Sequence, residues 1–133
     1  MEHSVRIRVR YAETDQMRFA HHSVYVVWFE MARIELMRGL GLNYAQIEKE
    51  GYLLPVLEVG IRYRKPAFFD DELQISAKFA QLAGARLRIQ YTVTKNGTPI
   101  AEGFSVHAFM NARGRPIRPP AFFVNAIKRQ SEV

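Results

Sequence analysis

The chain has 133 residues, no cysteine and a formal net charge of +6 at pH 7. This length predicts one domain with a core of its own, and the lack of cysteine excludes disulfides, thiolate metal sites and a cysteine nucleophile. No apolar run approaches the roughly 20 residues of a membrane span, and no signal-peptide pattern opens the chain. We therefore expect a cytoplasmic protein with no membrane partner. The positive charge favours an anionic partner, either nucleic acid or a phosphate-bearing small molecule.

The first half of the chain predicts a strand and then a long helix. Apolar and basic residues alternate from Val5 to Tyr11, which is typical of a half-buried strand. A nearly continuous apolar helix is predicted from Val24 to Leu40, with Ser23 as its N-cap. A helix that is apolar on almost every side must be covered by other structure. Asn43 begins a short second helix that ends near Gly51.

The second half of the chain predicts four further strands, near residues 57–63, 73–79, 86–94 and 100–110. Asn96-Gly97 is a strong hairpin signal between the last two of them. In the final strand the apolar face is assigned to Ile100, Phe104, Val106, Ala108 and Met110. Prolines end the sheet, and a short helix follows from about Ala121 to Lys128. These elements predict an α+β domain, in which an antiparallel sheet curls around the long helix.

The polar segment before the long helix carries the residues best suited to chemistry. Asp15 lies in a predicted loop, seven residues before His22 at the helix start. A carboxylate there could attack a carbonyl, or activate a water for that attack. Free N–H groups at the helix N-terminus could stabilise the resulting oxyanion. The alternative is that Asp15 only bonds its own turn.

Glu30, on the helix, is the second candidate base. Its alternative role is a buried ion pair with Arg33, three residues further on. The adjacent His21 and His22 have no further ligand cluster at a suitable spacing, so the sequence predicts no metal site.

The stretch from Tyr11 to Arg33 resembles the hot-dog-fold acyl-CoA thioesterases of the 4-hydroxybenzoyl-CoA type. The family pattern is matched by Asp15, His22, Tyr25, Glu30 and Arg33. Arg18 departs from it, because the family has glycine there. The resemblance continues through residues 54–56, 63–67 and 71–73, and so covers most of the chain. It implies a hot-dog fold, a five-stranded antiparallel sheet around one long central helix, as a single domain over residues 1–133.

The resemblance also implies an activity: hydrolysis of an acyl-CoA thioester to free acid and CoA, without a cofactor or metal. Asp15 would be the nucleophile or general base, and the backbone N–H of His22 the oxyanion donor. The family further implies sites at a dimer interface, and we expect a homotetramer built from dimers. The sequence leaves open the acyl group and the choice between CoA and acyl-carrier protein.

Several residues are candidates for substrate binding. Basic side chains suit the phosphates of CoA, and Tyr25 belongs either to the acyl pocket or to the core. Arg18 adds a cation three residues from Asp15, and its presence implies either an ordinary backbone geometry there or some strain. The substrate-binding candidates are Arg18, Tyr25, Arg64 and Lys65.

Two other functions fit parts of the sequence. One is a hot-dog hydratase or dehydratase acting on acyl thioesters with a histidine base, which an aspartate in the loop disfavours. The other is a non-catalytic module that binds acyl-CoA or nucleic acid. Against nucleic acid, the aromatic residues are predicted on the inward faces of the strands, not among the outward arginines where bases could stack.

Overall fold

The computed structural model describes the backbone of residues 2–131 and the side chains through residue 129. Residues 2–131 contain three α-helices and seven strands. The helices are α1 (His22–Gly39), α2 (Tyr44–Lys49) and α3 (Ala121–Ser131). The strands are β1 (Glu2–Arg8), β2 (Tyr52–Leu53), β3 (Val56–Tyr63), β4 (Glu72–Ala83), β5 (Arg86–Lys95), β6 (Thr98–Ala108) and β7 (Met110–Asn111).

The main sheet has five strands in the order β1-β4-β5-β6-β3, and every neighbouring pair is antiparallel. Asn96 and Gly97 connect β5 to β6 with φ angles of 51° and 80°, as the favoured two-residue hairpin turn requires. A second, two-stranded sheet pairs β2 with β7. The predicted α+β class and antiparallel five-stranded sheet are confirmed.

Helix α1 packs on one face of this sheet and forms the centre of the core. Its residues Trp28, Phe29, Ala32, Leu36 and Met37 are all at most 1% exposed. They meet the inward residues of the central strands, which include Leu73, Ile75, Leu87, Ile89 and Val93. Burial of large apolar side chains stabilises a domain by about 1.5–3 kcal/mol each, so this contact between helix and sheet holds the fold together. None of the helices within residues 2–131 has the length and apolar character needed to cross a membrane.

The middle of strand β6 presents the opposite face to the one predicted, although Ile100 and Ala108 are buried. Ala101, Ser105 and His107 are buried, and their partners on β5 are inward residues of that strand. Phe104 instead lies on the outer face, where the guanidinium of Arg88 sits 3.9 Å from its ring centroid. The inward positions are small or polar because α1 comes close: a Cβ at Gly103 would lie 2.7 Å from the ring of Phe29. The predicted apolar face of this strand was therefore wrong in the middle of the strand. Phe104 also lies beside an outward arginine, although the aromatic residues were predicted on the inward faces.

A chain of hydrogen bonds runs through the core between α1 and the sheet. Nη1 of Arg33 donates to the Tyr91 hydroxyl at 3.1 Å, which lies 2.6 Å from Oγ of Ser105. Ser105 is in turn 2.8 Å from Nε2 of His107, whose Nδ1 is 3.3 Å from the carbonyl oxygen of Leu54. A carbonyl can only accept, so neutral His107 donates at Nδ1 to Leu54 and accepts at Nε2 from the Ser105 hydroxyl, which in turn accepts from the Tyr91 hydroxyl.

The environments of His107 and Arg33 follow from this chain of hydrogen bonds. His107 is fully buried. Burial, together with the nearby charge of Arg33, lowers the pKa of His107 from 6.5 to about 4, although the Leu54 carbonyl opposes this. Arg33 does not pair with Glu30: among the described residues its Nε has no hydrogen-bond partner, and the Glu30 side chain is exposed.

Candidate active site

The segment that carries Asp15 is a short hairpin between β1 and α1. After a 3₁₀ turn at Tyr11–Glu13, the Asp15 N–H donates to the carbonyl of Phe19 at 2.9 Å, and the Arg18 N–H donates to the carbonyl of Asp15 at 2.9 Å. Residue 18 has a φ of 69°. A turn closed by one left-handed residue is a common three-residue hairpin connection. The strand before it ends at Arg8, so Tyr11 lies outside β1 and is 77% exposed.

Arg18 therefore does not relax the backbone to an ordinary geometry. It adopts the left-handed conformation that glycine tolerates and that costs other residues roughly 1–2 kcal/mol. Its side chain is exposed. No ion pair joins it to Asp15 within the described part of the chain, and it does not line the cleft described below. The backbone, not the guanidinium, is what this position contributes to the loop.

Helix α1 begins two residues earlier than predicted, and its cap is not Ser23. His21 is the N-cap, and its Nδ1 accepts from the Ser23 N–H at 3.3 Å. The Ser23 hydroxyl lies 2.8 Å from the same nitrogen. His22 is the first helical residue, and the first N–H groups of a helix have no intrahelical acceptor. The N–H of His22 makes no hydrogen bond to the residues that the structure describes, so it remains free to bind a ligand oxygen.

A cleft of about 310 Å³ opens at this end of the helix. It brings together five of the residues singled out in the sequence. The lining residues are Asp15, Phe19, Ala20, His22, Tyr25, Tyr63, Arg64, Lys65 and Pro66. Two predicted residues are not among them: Arg18 and the second candidate base, Glu30.

The two oxygens of the Asp15 carboxylate have different surroundings. Its Oδ1 accepts from the N–H of Met17 at 2.9 Å and from the N–H of Phe19 at 3.3 Å. Its Oδ2 makes no hydrogen bond within the described chain. Two backbone donors thus fix the orientation of the carboxylate, and one oxygen stays available for chemistry.

Two tyrosines form the apolar wall of the cleft. The rings of Tyr25 and Tyr63 meet edge to face, with centroids 4.9 Å apart. The Tyr63 hydroxyl donates to the carbonyl of His22 at 3.2 Å, which fixes β3 against the start of the helix. Burial raises the pKa of Tyr25 to about 12, helped by Tyr63 and opposed by the backbone of Ala67. Burial also raises the pKa of Tyr63, so both phenols are neutral at physiological pH.

The two cations of the cleft differ in their availability. Arg64 donates from Nη2 to Oε1 of Glu102 at 2.7 Å, so part of its charge is already compensated. Lys65 is exposed and forms no ion pair with the described residues. It is therefore the cation freest to meet an anionic ligand.

Sequence reasoning did not single out Glu13, which lies beside this site. The residue is 7% exposed, and its carboxylate accepts hydrogen bonds from the Arg10 N–H and the Trp28 indole N–H. The spacing of Arg10 and Glu13 is a weak signal for that contact, but the Trp28 partner is 15 residues away and gives none. Among the described residues, no group of three or more histidine, aspartate or glutamate side chains is arranged to hold a metal ion.

The fold and the cleft define the class of this protein. It is a hot-dog-fold domain whose cleft combines a loop carboxylate, the free N–H of His22 at a helix N-terminus and nearby cations. The chain belongs to the thioesterase-like superfamily, whose family model matches residues 9–127. The family expected from the sequence, and the thioester-hydrolase class that goes with it, are thereby confirmed.

Relatives in sequence and structure agree with this assignment. YneP of Bacillus subtilis is 46% identical over 65 residues, which is 49% of this chain and 47% of YneP, so the match spans about half of each. A hypothetical protein of Thermus thermophilus, TT1821, has a TM-score of 0.91 at 38% identity, covering 96% of this chain and 98% of its own. A DHNA-CoA thioesterase from Staphylococcus aureus has a TM-score of 0.90 at 27% identity, covering 98% and 89%.

Proposed function

We propose that this protein hydrolyses acyl-CoA thioesters to a free acid and CoA. The observation that carries the proposal is the convergence of Asp15, the His22 N–H, Tyr25, Arg64 and Lys65 on one cleft. Membership of the thioesterase-like superfamily supports it, as does the DHNA-CoA thioesterase among the similar structures. Tyrosine walls suit an acyl group, and a lysine at the rim suits a phosphate of CoA.

In the proposed reaction, Asp15 delivers oxygen to the thioester carbonyl through Oδ2. As a nucleophile it would form an acyl-aspartyl anhydride, which water then hydrolyses. As a general base it would take a proton from a water that attacks directly. In both routes the C–S bond breaks, CoA leaves as thiolate and takes up a proton, and one water is consumed. A single turnover in ¹⁸O-labelled water tests the nucleophilic route: if water attacks the aspartyl carbonyl of the anhydride, label enters Asp15 and the released acid carries an oxygen from Asp15, whereas the general-base route labels only the acid.

The backbone N–H of His22 is the proposed oxyanion donor. It has no acceptor among the described residues, and His22 is the first residue of an 18-residue helix and lines the same cleft. The partial positive charge of the helix N-terminus favours negative charge at this point. A preorganised backbone donor of this kind typically contributes about 2.7–4 kcal/mol to transition-state stabilisation.

The proposed assembly is a homotetramer built from dimers. Strand β3 lies at the edge of the sheet, and Val56, Leu57 and Val59 on it are 40–49% exposed. A long, exposed apolar edge strand is a site for pairing with another chain. Tyr63, on the same strand, lines the cleft, so pairing there would place the site beside a second subunit.

The function is tested by Asp15→Asn, measured as thiol release from a panel of acyl-CoAs. Asparagine keeps the turn-forming oxygen but is neither a base nor a nucleophile, so we expect turnover to fall at least about a hundredfold. Glu30→Gln, outside the cleft, is the matched control and should retain wild-type turnover. Normal activity in Asp15→Asn together with loss in Glu30→Gln would transfer the catalytic role to Glu30. Hydration of unsaturated acyl-CoA without thiol release would identify a hydratase instead.

A further inference from the structure

Glu13 is a buried carboxylate in a loop that is otherwise at the surface. It receives hydrogen bonds from two different segments of the chain. Its Oε1 accepts from the Arg10 N–H at 2.8 Å, and its Oε2 accepts from Nε1 of Trp28 at 3.3 Å. Nη2 of Arg10 also lies 3.4 Å from Oε2. A carboxylate so enclosed is stable only while these donors remain, because burying an unpaired charge is costly.

The same residue is also bound to the helix through its backbone. The carbonyl of Glu13 accepts from the His21 N–H at 2.7 Å. His21 is the N-cap of α1 and directly precedes the proposed oxyanion donor. Trp28, the side-chain partner, is 1% exposed in α1, and its ring packs against that of Tyr25, which lines the cleft, with centroids 4.7 Å apart and an interplanar angle of 58°. Glu13 is therefore attached to α1 at two points, one on each side of His22 and Tyr25.

These two attachments bear on the distance between the Asp15 carboxylate and the His22 N–H, on which the proposed reaction depends. Asp15 follows Glu13 by two residues, and its own N–H is already committed to Phe19. Rotation or retreat of residue 13 from the helix would move the Asp15 carboxylate relative to the His22 N–H. A displacement of about 1 Å between catalytic groups can lower a rate a hundredfold.

We propose that Glu13 is a positioning residue, which holds the Asp15 loop in register with the N-terminus of α1 for catalysis. This inference rests on the proposed function. It assigns no contact between Glu13 and the substrate, because Glu13 does not line the cleft. Its effect passes through the Arg10 N–H and the Trp28 indole, which both donate and hence require an acceptor at residue 13.

The test compares Glu13→Gln with Trp28→Phe and the double variant. Glutamine at residue 13 has the same shape as glutamate, but its NH₂ group would face either the Arg10 N–H or the Trp28 indole N–H, both of which are donors. Phenylalanine at residue 28 removes the indole donor from the contact with Glu13. We expect kcat to fall about 10- to 100-fold in Glu13→Gln and less in Trp28→Phe, with KM within about threefold of wild type. Because both variants break the same link, the double variant should be no slower than Glu13→Gln alone. Glu35→Gln, which breaks the exposed pair with Arg38 at the far end of α1, is the control and should leave kcat unchanged.

Denaturant unfolding of each variant separates positioning from simple stability. A purely structural role would lower the free energy of unfolding while kcat per folded enzyme stayed at the wild-type value, and that result would overturn the proposal. If Glu13→Gln does not fold, Trp28→Phe decides alone: a wild-type kcat in the folded variant would overturn it. Thioester hydrolysis by the wild type with a normal kcat in Glu13→Gln refutes only the positioning role. No hydrolysis by the wild type with any acyl-CoA refutes the function as well.

Discussion

The carboxylate of Asp15 reconciles two roles that the sequence left as alternatives. Oδ1 forms the turn by accepting from Met17 and Phe19, as a purely structural aspartate would. Oδ2 accepts no hydrogen bond from the part of the chain that the structure describes, and Asp15 lines the cleft. The turn bonds therefore orient the group for catalysis, so the structural role supports the proposed chemical one.

Arg18 gives a prediction at the same scale. Its φ of 69° penalises a side chain but not glycine, so Arg18→Gly should raise the free energy of unfolding by about 1 kcal/mol. The gain is the left-handed cost of roughly 1–2 kcal/mol less the added entropy of glycine in the unfolded chain. Since the guanidinium makes no ion pair with Asp15, thioester turnover should stay within about threefold of wild type. Urea unfolding and the thiol-release assay measure the two quantities.

Arg18→Ala is the matched control for that prediction. Alanine removes the guanidinium but keeps the Cβ that strains the backbone, so it should not share the stabilisation. If Arg18→Gly and Arg18→Ala raised the free energy of unfolding equally, the effect would come from the charge of Arg18 and not from its backbone conformation.

Sequence reasoning was most useful where function depends on residues close together in the chain. Asp15, His22 and Tyr25 lie within eleven positions, and a loop followed by a helix start is enough to bring them together. Glu13 and Arg33 could not be placed in this way. The partner of Glu13 is 15 residues away and that of Arg33 is 58 residues away, so their contacts depend on the tertiary fold.

At the scale of elements, strand β6 shows where periodicity misleads. Strands β4 and β5 bury the apolar residues that alternate along them, because those residues are large enough to fill the space under α1, whereas the apolar residues Leu57 and Val59 of β3 are 45% and 40% exposed. In β6 the inward positions hold Ala101, Gly103 and Ser105, since Phe29 occupies the space above them. Close approach of a helix selects small residues, and a pattern that counts only hydrophobicity then assigns the wrong face.

The hydrogen-bond chain that joins α1 to β5 and β6 predicts an acid-sensitive fold. Neutral His107 satisfies the chain, and its pKa is lowered from 6.5 to about 4 in the folded state. The unfolded state therefore takes up the proton first as pH falls. Stability from this group is complete above about pH 6.5 and is lost between there and pH 4. At 1.36 kcal/mol per pKa unit, the loss is about 3 kcal/mol.

Urea unfolding at a series of pH values measures this loss, and His107→Gln is the comparison. Glutamine keeps one donor for Leu54 and one acceptor for Ser105 but does not titrate, so the variant should lose less stability between pH 6.5 and 4. Equal acid sensitivity in both proteins would show that other groups are responsible.

At the scale of the whole molecule, the exposed edge of β3 governs the proposed assembly. Val59 is 40% exposed on that edge, and a lysine there would place a charge where a second copy has to pair. We expect light scattering to give a tetramer for the wild type at micromolar concentration and a smaller species for Val59→Lys. Turnover should fall with it, because Tyr63 of the same strand lines the cleft.

Gln46→Lys adds the same charge at an exposed position of α2 and should leave the assembly intact. A monomeric wild type, fully active at every concentration, would overturn both the assembly and the shared-site picture.

The order of strands in the main sheet also has an entropic consequence for the cleft. Strands β4, β5 and β6 are joined by tight turns, whereas β1 meets β4 across a long excursion: Ser4 and Ser76 bond across 72 positions. Loop-closure entropy grows with the logarithm of loop length, so this closure costs on the order of 3 kcal/mol more than a three-residue turn. The segment after β1 is tied to the same closure, because Val9 and Asp71 bond through their backbones. Detachment of β1 from β4 would therefore release more conformational entropy than the opening of either tight turn. Because the Asp15 hairpin follows β1 directly, that detachment would also release one side of the cleft.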